Sequence, residues 1–328
     1  LDAERARWVD VDDTLGTPLS ILGDFAASGG KRIRPAFAYW TFVGSGGDAT
    51  DTRLADLCTA LELLHMFALL HDDVMDGSDT RRTRPTVHRA AERRHGELGW
   101  RGESRRFGEG VAILVGDLAF TYADLLTDSL PSDVLRLYTD LRLELVVGQY
   151  LDLESAARGE IDFERARRIA INKTGKYTVE RPLQLGAALA GSRDGLEPAL
   201  TDLGVALGEA FQLRDDLLGV FGDAAVLGKP VGDDLREGKA TELLAVATDR
   251  ADDAQRAVLA RAGDTDLDDD GVEELRAVII DTGARDAIEA RITELAAQAQ
   301  VAIDALDLTP HAATALGALA QFVAWRDH

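Results

Sequence analysis

Along most of the chain apolar residues recur three and four positions apart, and clean two-residue alternation is rare. That spacing gathers side chains on one stripe of a helix, so the pattern predicts helices rather than strands. The stretch from Thr52 to Gly77 is apolar nearly all round, which predicts a long helix buried among others. Further helices are predicted over 31–44, 107–127, 132–158, 163–191 and 195–221, then over 239–262, 271–282, 284–306 and 310–326. Ser132 and Asp133 ahead of VLRLY, and Thr309-Pro310 ahead of the last segment, are helix-start signals. No period of roughly 20–50 residues repeats, which excludes a solenoid. The fold class is all-α.

Length changes the picture little. A chain of 328 residues would suit about two domains. No Pro/Gly/Ser-rich or charge-dense linker divides it, though: the 8 prolines are scattered and apolar segments recur from Pro18 to Trp325. A single domain over 1–328 is the expectation. Charge says more: 36 Lys+Arg against 58 Asp+Glu give −22. Such a field repels nucleic acid and disfavours anionic membrane surfaces. Cys58 is the single cysteine, so no intrachain disulfide can form, and LADLCTALELL makes it a small core residue. The opening LDAERARWVDVDD lacks an apolar signal-peptide core, and no uninterrupted run reaches the ~18 apolar residues of a spanning helix. A cytoplasmic chain without stable membrane insertion is expected.

Against this acidic background two carboxylate motifs stand out. HDDVMDGSDTRR holds Asp72, Asp73 and Asp76, followed by Arg81 and Arg82. Positions i and i+4 lie on one helix face, so Asp72 and Asp76 present carboxylates one turn apart. They repel unless a cation sits between them, and Mg²⁺ suits because it takes one or two carboxylates and fills its shell with water and phosphate oxygens. FQLRDDLLGVFGD supplies Asp215 and Asp216, but its i+4 position is Gly219, and Asp223 falls too far on to replace a third carboxylate. Basic residues complete the set. GGKRIRP gives Lys31, Arg32 and Arg34, with no acid between Asp24 and Asp48. NKTGKY adds Lys173 and Lys176, and LGKPVGDDLREGK adds Lys229 and Lys239. Arginine forks and lysine point charges are phosphate ligands. One diphosphate held through metal, and a second held directly, is the chemistry this pattern implies.

In the order GGKRIRP, ELLHMFALLHDDVMDGSDTRR, GDLAF, GQYLDL, KTGKY, FQLRDDLLGVFGD, GKPVGDDLREGK, the chain resembles the trans-isoprenyl diphosphate (polyprenyl) synthases over nearly its whole length. The resemblance implies antiparallel helices around a deep central cavity (the isoprenoid synthase fold), usually in a homodimer. It implies that Asp72, Asp76 and Asp215 bind three Mg²⁺ on an allylic diphosphate, with Asp73 and Asp216 nearby. Arg81, Lys173, Lys229 and Lys239 would clamp that diphosphate, while Lys31, Arg34, His65 and Arg82 would hold isopentenyl diphosphate. Thr174 and Gln212 would line the path of the carbocation, and Gln149 and Asp152 match GQxLD. The implied reaction ionises an allylic primer (dimethylallyl, geranyl or farnesyl diphosphate), adds isopentenyl diphosphate and loses a proton. Phe67, five residues before Asp72, together with the small Ala68, would set product length and point to geranylgeranyl diphosphate, with farnesyl or a longer polyprenyl diphosphate as the alternative. Family members usually carry aspartate at position 219. Because the family's metal contact runs mainly through the first Asp of that motif, Gly219→Asp is expected to change rate only modestly.

Three other patterns carry less. Asp266, Asp268 and Asp270 open like a calcium loop, but Ala277 stands where its bidentate Glu belongs; an acidic loop between helices is expected. His65 and His71 lack the further ligands of a zinc site. GSGGD lacks the strand a dinucleotide motif needs. A terpene cyclase would need an Asn-Ser-Glu metal triad; Asn172 is the only asparagine, and Lys176 stands where the triad needs Ser or Thr. A non-catalytic partner subunit would be expected to lose the first motif or the basic set.

Overall fold

The helical periodicity is realised almost throughout the computed structural model, which describes residues 1–159, 162–222, 232–264 and 266–326. The helices are α1 (Asp2–Val9), α2 (Gly16–Ala27), α3 (Ile33–Gly44), α4 (Thr52–Met75), α5 (Val87–Glu97), α6 (Ser104–Thr127) and α7 (Ser132–Arg158). Then come α8 (Phe163–Ile169), a π-helical stretch (Ala170–Glu180), α9 (Arg181–Leu189), α10 (Arg193–Phe221) and the single turn α11 (Asp233–Arg236). The rest are α12 (Glu242–Arg250), α13 (Asp253–Leu259), α14 (Asp269–Asp281), α15 (Ala284–Ala305) and α16 (Pro310–Trp325). Among the described residues the only sheet is an antiparallel hairpin, β1 (Thr80–Arg81) with β2 (Arg84–Pro85).

The chain forms two compact units, Leu1–Pro35 with Ala55–Ser129, and Ala36–Leu54 with Leu130–His328. In the first unit α5 packs on α6, α2 on α6, and α1 on α2. A Cβ at Gly108 would lie 2.3 Å from the His88 carbonyl oxygen, so α5 and α6 meet backbone to backbone. The all-round apolarity of α4 is explained by Leu57, Leu61, Leu64 and Leu70, all buried. Cys58 is part-buried, its Sγ donates to the Pro35 carbonyl at 3.6 Å, and burial pushes its thiol up to about 11. That is an inert core thiol. Measured over an 18-residue window rather than an uninterrupted run, α4 and α6 are long and apolar enough to cross a membrane, a property that core helices share.

In the second unit α10 is the axis, packed on α15, on the π-helical stretch and on α16. Leu200, Leu203, Leu207 and Leu213 line its buried side. Two departures from the expected boundaries have local causes. The stretch predicted as one helix over 239–262 breaks between α12 and α13, where Asp252 accepts from the Gln255 amide and Gln255 reaches back in a capping box. The Asp268 carboxylate caps α14 through the Gly271 amide at 2.9 Å, so that helix begins inside the acidic segment, at Asp269 rather than at 271.

The same unit buries a charge cluster that composition conceals. Glu209 binds Arg167 at 3.1 Å and Arg291 at 2.7 Å, and Glu242 is buried beside them. Burial, then the Glu209 charge, raises the Glu242 carboxyl to about 7. Folded Glu242 therefore holds its proton where the unfolded chain has lost it, and this contribution to stability fades as pH climbs towards 7. Glu242→Gln should therefore gain on the parent by up to about 3 kcal/mol between pH 5 and pH 8. Melting curves across that range check it; an unchanged difference would show that Glu242 is charged throughout.

Candidate active site

The first acidic motif ends α4. Its middle residue, Asp73, is 1% exposed and bound by Arg81, whose Nε donates to Oδ1 at 2.7 Å. Among the described residues its other oxygen has no hydrogen-bond partner. Burial raises the Asp73 carboxyl, and the Arg81 charge only partly offsets this. Asp72 and Asp76 are only part-buried, with Asp72 Oδ2 3.9 Å from Arg81. The hairpin that carries Arg81 turns through Arg82 and Thr83 in the left-handed region, with φ of 52° and 65°.

Arg82 reaches the GGKRIRP segment, donating to the Gly29 carbonyl and to Ser28 Oγ at 3.2 Å. A Cβ at Gly30, whose φ is +144°, would sit 3.1 Å from the Arg82 guanidinium, so the double glycine makes this approach possible. Arg32 is neutralised by Glu62 on α4 and donates to the Ala26 carbonyl, a pairing that the acid-free look of its own segment hides. His65 lies within the field of Arg34, Arg81, Arg82 and Arg32. Burial first, then those charges, holds its imidazole well below the ordinary value, hence neutral. Lys31 is exposed. The structure thus gathers the cationic Arg34, Arg81 and Arg82 around a neutral His65, a set suited to a diphosphate.

Farther back on α4, the Phe67 ring lies 4.6 Å from the His71 ring and 4.9 Å from Phe120 on α6. His71 Nε2 is 3.1 Å from the Ile113 carbonyl, and its ring fills the space beside Gly116, where a Cβ would be 2.4 Å away. His65 and His71 thus serve different surroundings. Phe120 escaped the sequence reading, since nothing in GDLAF marks it as facing α4.

The second motif closes α10. Asp215 is half-exposed and paired with the buried Arg326 at 2.5 Å. The Arg326 guanidinium stacks 4.0 Å from the Phe211 ring centroid and also donates to the Phe211 carbonyl. A lone arginine after the last helix gave no signal of this. Asp216 is buried and accepts from Gln212 Nε2 at 2.6 Å. Burial pushes its carboxyl well above the ordinary range, against the Gln212 hydrogen bond, and the charges of Asp234, Glu242 and Asp215 push the same way.

Lys173, Thr174 and Lys176 lie on the π-helical stretch, a conformation common at functional sites. It is wedged by glycines. A Cβ at Gly148 would be 2.4 Å from the Lys173 nitrogen, and one at Gly208 would be 2.5 Å from the Gly175 Cα. Lys173 Nζ is 2.5 Å from Asp152, which gives the GQYLD motif a part: it supports the lysine. Lys176 binds Glu144 at 2.7 Å, which Arg181 also holds. Lys239 Nζ lies 2.6 Å from Glu237 and 3.6 Å from Asp234. Lys229 lies outside the described residues.

Among the described residues no group of three or more His, Cys, Asp or Glu is drawn together to hold a metal alone. Mg²⁺ binds through one or two carboxylates plus phosphate oxygens, so the part-buried Asp72 and Asp76, with Arg81 occupied by Asp73, fit it jointly with a diphosphate.

The fold is the all-helical isoprenoid synthase fold. The polyprenyl synthetase pattern matches residues 19–279, and the chain belongs to that family. It is 31% identical over 333 residues to a short chain isoprenyl diphosphate synthase of Methanothermobacter thermautotrophicus, covering 99% of this chain and 95% of the relative. It is 32% identical over 283 residues to an octaprenyl diphosphate synthase of Haemophilus influenzae, covering 86% and 79%. The crystal structure of geranylgeranyl pyrophosphate synthase from Corynebacterium glutamicum, complexed with isoprenyl diphosphate and magnesium, superposes with a TM-score of 0.94 at 36% identity, covering 99% and 95%. The chain is therefore a prenyltransferase of the head-to-tail type, in a family that depends on magnesium.

Proposed function

We propose that this chain, as one domain over 1–328, condenses isopentenyl diphosphate with dimethylallyl, geranyl and farnesyl diphosphates and releases geranylgeranyl diphosphate. The observation that carries the product length is Phe67, seated against His71 and Phe120 five residues before Asp72, with small Ala68 between. The magnesium and isoprenyl diphosphate in the Corynebacterium structure support the same substrates here.

Asp72, Asp76 and Asp215 would hold magnesium, three ions per site. When bound, it supplies charge stabilisation for the departing diphosphate. Arg81, Lys173, Lys229 and Lys239 bind the allylic diphosphate, and Arg81 is pre-aimed by Asp73. Arg34, Arg82, Lys31 and neutral His65 hold isopentenyl diphosphate, and Thr174 and Gln212 flank the cation. The proton lost at the end goes to the released pyrophosphate, so no protein base is needed. Exposed apolar residues on α6 (Leu114, Leu125) and on α7 (Leu143, Val146, Tyr150) support a homodimer. We place the protein in the cytoplasm, and the burial of α4 leucines supports the absence of membrane insertion.

The test is to incubate the purified protein with isopentenyl diphosphate, Mg²⁺ and each primer, and to weigh the products. Mostly C20 supports the reading; C15 or chains beyond C25 overturn the product, and no product from any primer overturns catalysis by the chain alone. In the same assay Arg34→Ala should raise KM for isopentenyl diphosphate roughly tenfold or more, as loss of a charge-assisted bond implies. An equal or larger loss for the allylic substrate would reverse the assignment of the two sites.

A further inference from the structure

The charge of this chain is unevenly spread. Against −22 overall, the stretch from Arg93 to Arg106 carries five arginines and two glutamates. It covers the end of α5, the loop after it and the start of α6. Nearby Arg89 is satisfied by Asp79 and Glu92, and Arg105 by Glu109. Arg93, Arg94, Arg101 and Arg106 are exposed and, among the described residues, form no ion pair.

Apolar side chains stand beside them. Leu98 is 53% exposed and Trp100 45%, in a loop whose shape is held by its own bonds. The Leu98 amide donates to the Arg94 carbonyl at 3.1 Å, and the Trp100 amide to the His95 carbonyl at 3.2 Å. Gly99 and Gly102 turn the backbone with φ of 61° and 95°. The buried His95 ring anchors the next residue: its Nε2 is 3.0 Å from the Arg101 carbonyl oxygen, which can only accept. The Trp100 indole rests edge-on against Phe107 at 5.2 Å and against His95 at 6.0 Å, and the Arg94 guanidinium lies 5.8 Å from its ring centroid. The loop thus holds an indole and a leucine in solvent beside arginines that nothing neutralises.

We propose that this loop docks the protein on an anionic lipid bilayer, lying on the surface and not inserted through it. Tryptophan and leucine suit the boundary between headgroups and acyl chains, and arginines reach lipid phosphates from the same depth. The negative charge of the whole chain does not prevent this. At physiological ionic strength charge is screened beyond about 8 Å, so the local arginines decide. An acidic protein surface would answer the arginines but not the indole and leucine; a bilayer answers both. The activity gives such a surface a use, because head-to-tail condensation lengthens a hydrocarbon tail on a diphosphate, an amphiphile that partitions into bilayers.

The test is flotation of the full chain with vesicles of phosphatidylcholine, and with vesicles in which about a third of the lipid is phosphatidylglycerol, at low salt and at about 0.5 M salt. The parent should float with the anionic vesicles only, and high salt should release it. Arg94→Gln with Arg101→Gln should weaken that binding roughly tenfold or more, and Leu98→Ser or Trp100→Ser roughly threefold or more. These side chains lie outside the candidate active site, so turnover of a short soluble primer should stay within about twofold of the parent. Where Trp100→Ser loosens the loop and lowers the melting temperature, the more exposed Leu98→Ser carries the same test. A parent that ignores anionic vesicles at low salt overturns the proposal, and so does an arginine variant that binds like the parent. If the parent binds no vesicle while the variants change its oligomeric mass in sedimentation, the loop faces a second copy and the proposal falls.

Discussion

Asp72→Ala and Asp76→Ala should each lower turnover on the order of a thousandfold while leaving melting temperature nearly unchanged. Both carboxylates are part-buried at the exit of α4, so little core packing depends on them. Asp73→Ala should behave differently. Its carboxylate is buried and satisfies Arg81, so its loss strands a guanidinium, and truncating a buried pair typically costs about 3–5 kcal/mol. The measurement is kcat at saturating Mg²⁺ and both substrates, beside a thermal melt for each variant. An Asp72→Ala or Asp76→Ala enzyme within tenfold of the parent would remove the first motif from the chemistry.

What was legible in the sequence follows from which signals are local. The long helices were, because α4, α7, α10, α15 and α16 carry apolar spacing over many turns. The helices α1, α2 and α5 were not. Among described residues α1 buries nothing, α2 is interrupted by glycine and proline, and α5 turns His88, Ala91 and His95 inward rather than large apolar side chains. The hairpin of β1 and β2 is too short to show alternation, yet it aims Arg81 and Arg82 in different directions. The acidic and basic motifs could be read as types because metal and phosphate demand particular side chains. Their internal partners could not, since Glu62 under Arg32, Asp152 under Lys173 and Arg326 beside Asp215 are set by tertiary approach. Gly219 shows the difference most plainly. Read along the chain it is a missing carboxylate, and read in space it adjoins the carboxylate of Asp234.

Phe67→Ala should lengthen the product from C20 to C25 or beyond. Phe67 lies ~7.5 Å back along α4 from Asp72 at the axial rise of a helix, roughly one isoprene unit beyond the first turn. Its ring is part-buried rather than sealed, and it is braced on one side by His71 and on the other by Phe120. His71 is itself seated over Gly116, so the brace has little room to yield. A ring so supported can end a growing chain, and removing it opens the next turn of α4. Phe120→Ala removes the brace from the α6 side and should shift the distribution the same way by a smaller step. The alternative role is packing alone, where alanine would cost about 3–5 kcal/mol of stability and leave the product unchanged. Mass analysis of products at limiting isopentenyl diphosphate, with a melt on the same preparations, separates the two. Unaltered C20 from a folded Phe67→Ala protein would show that chain length is set elsewhere.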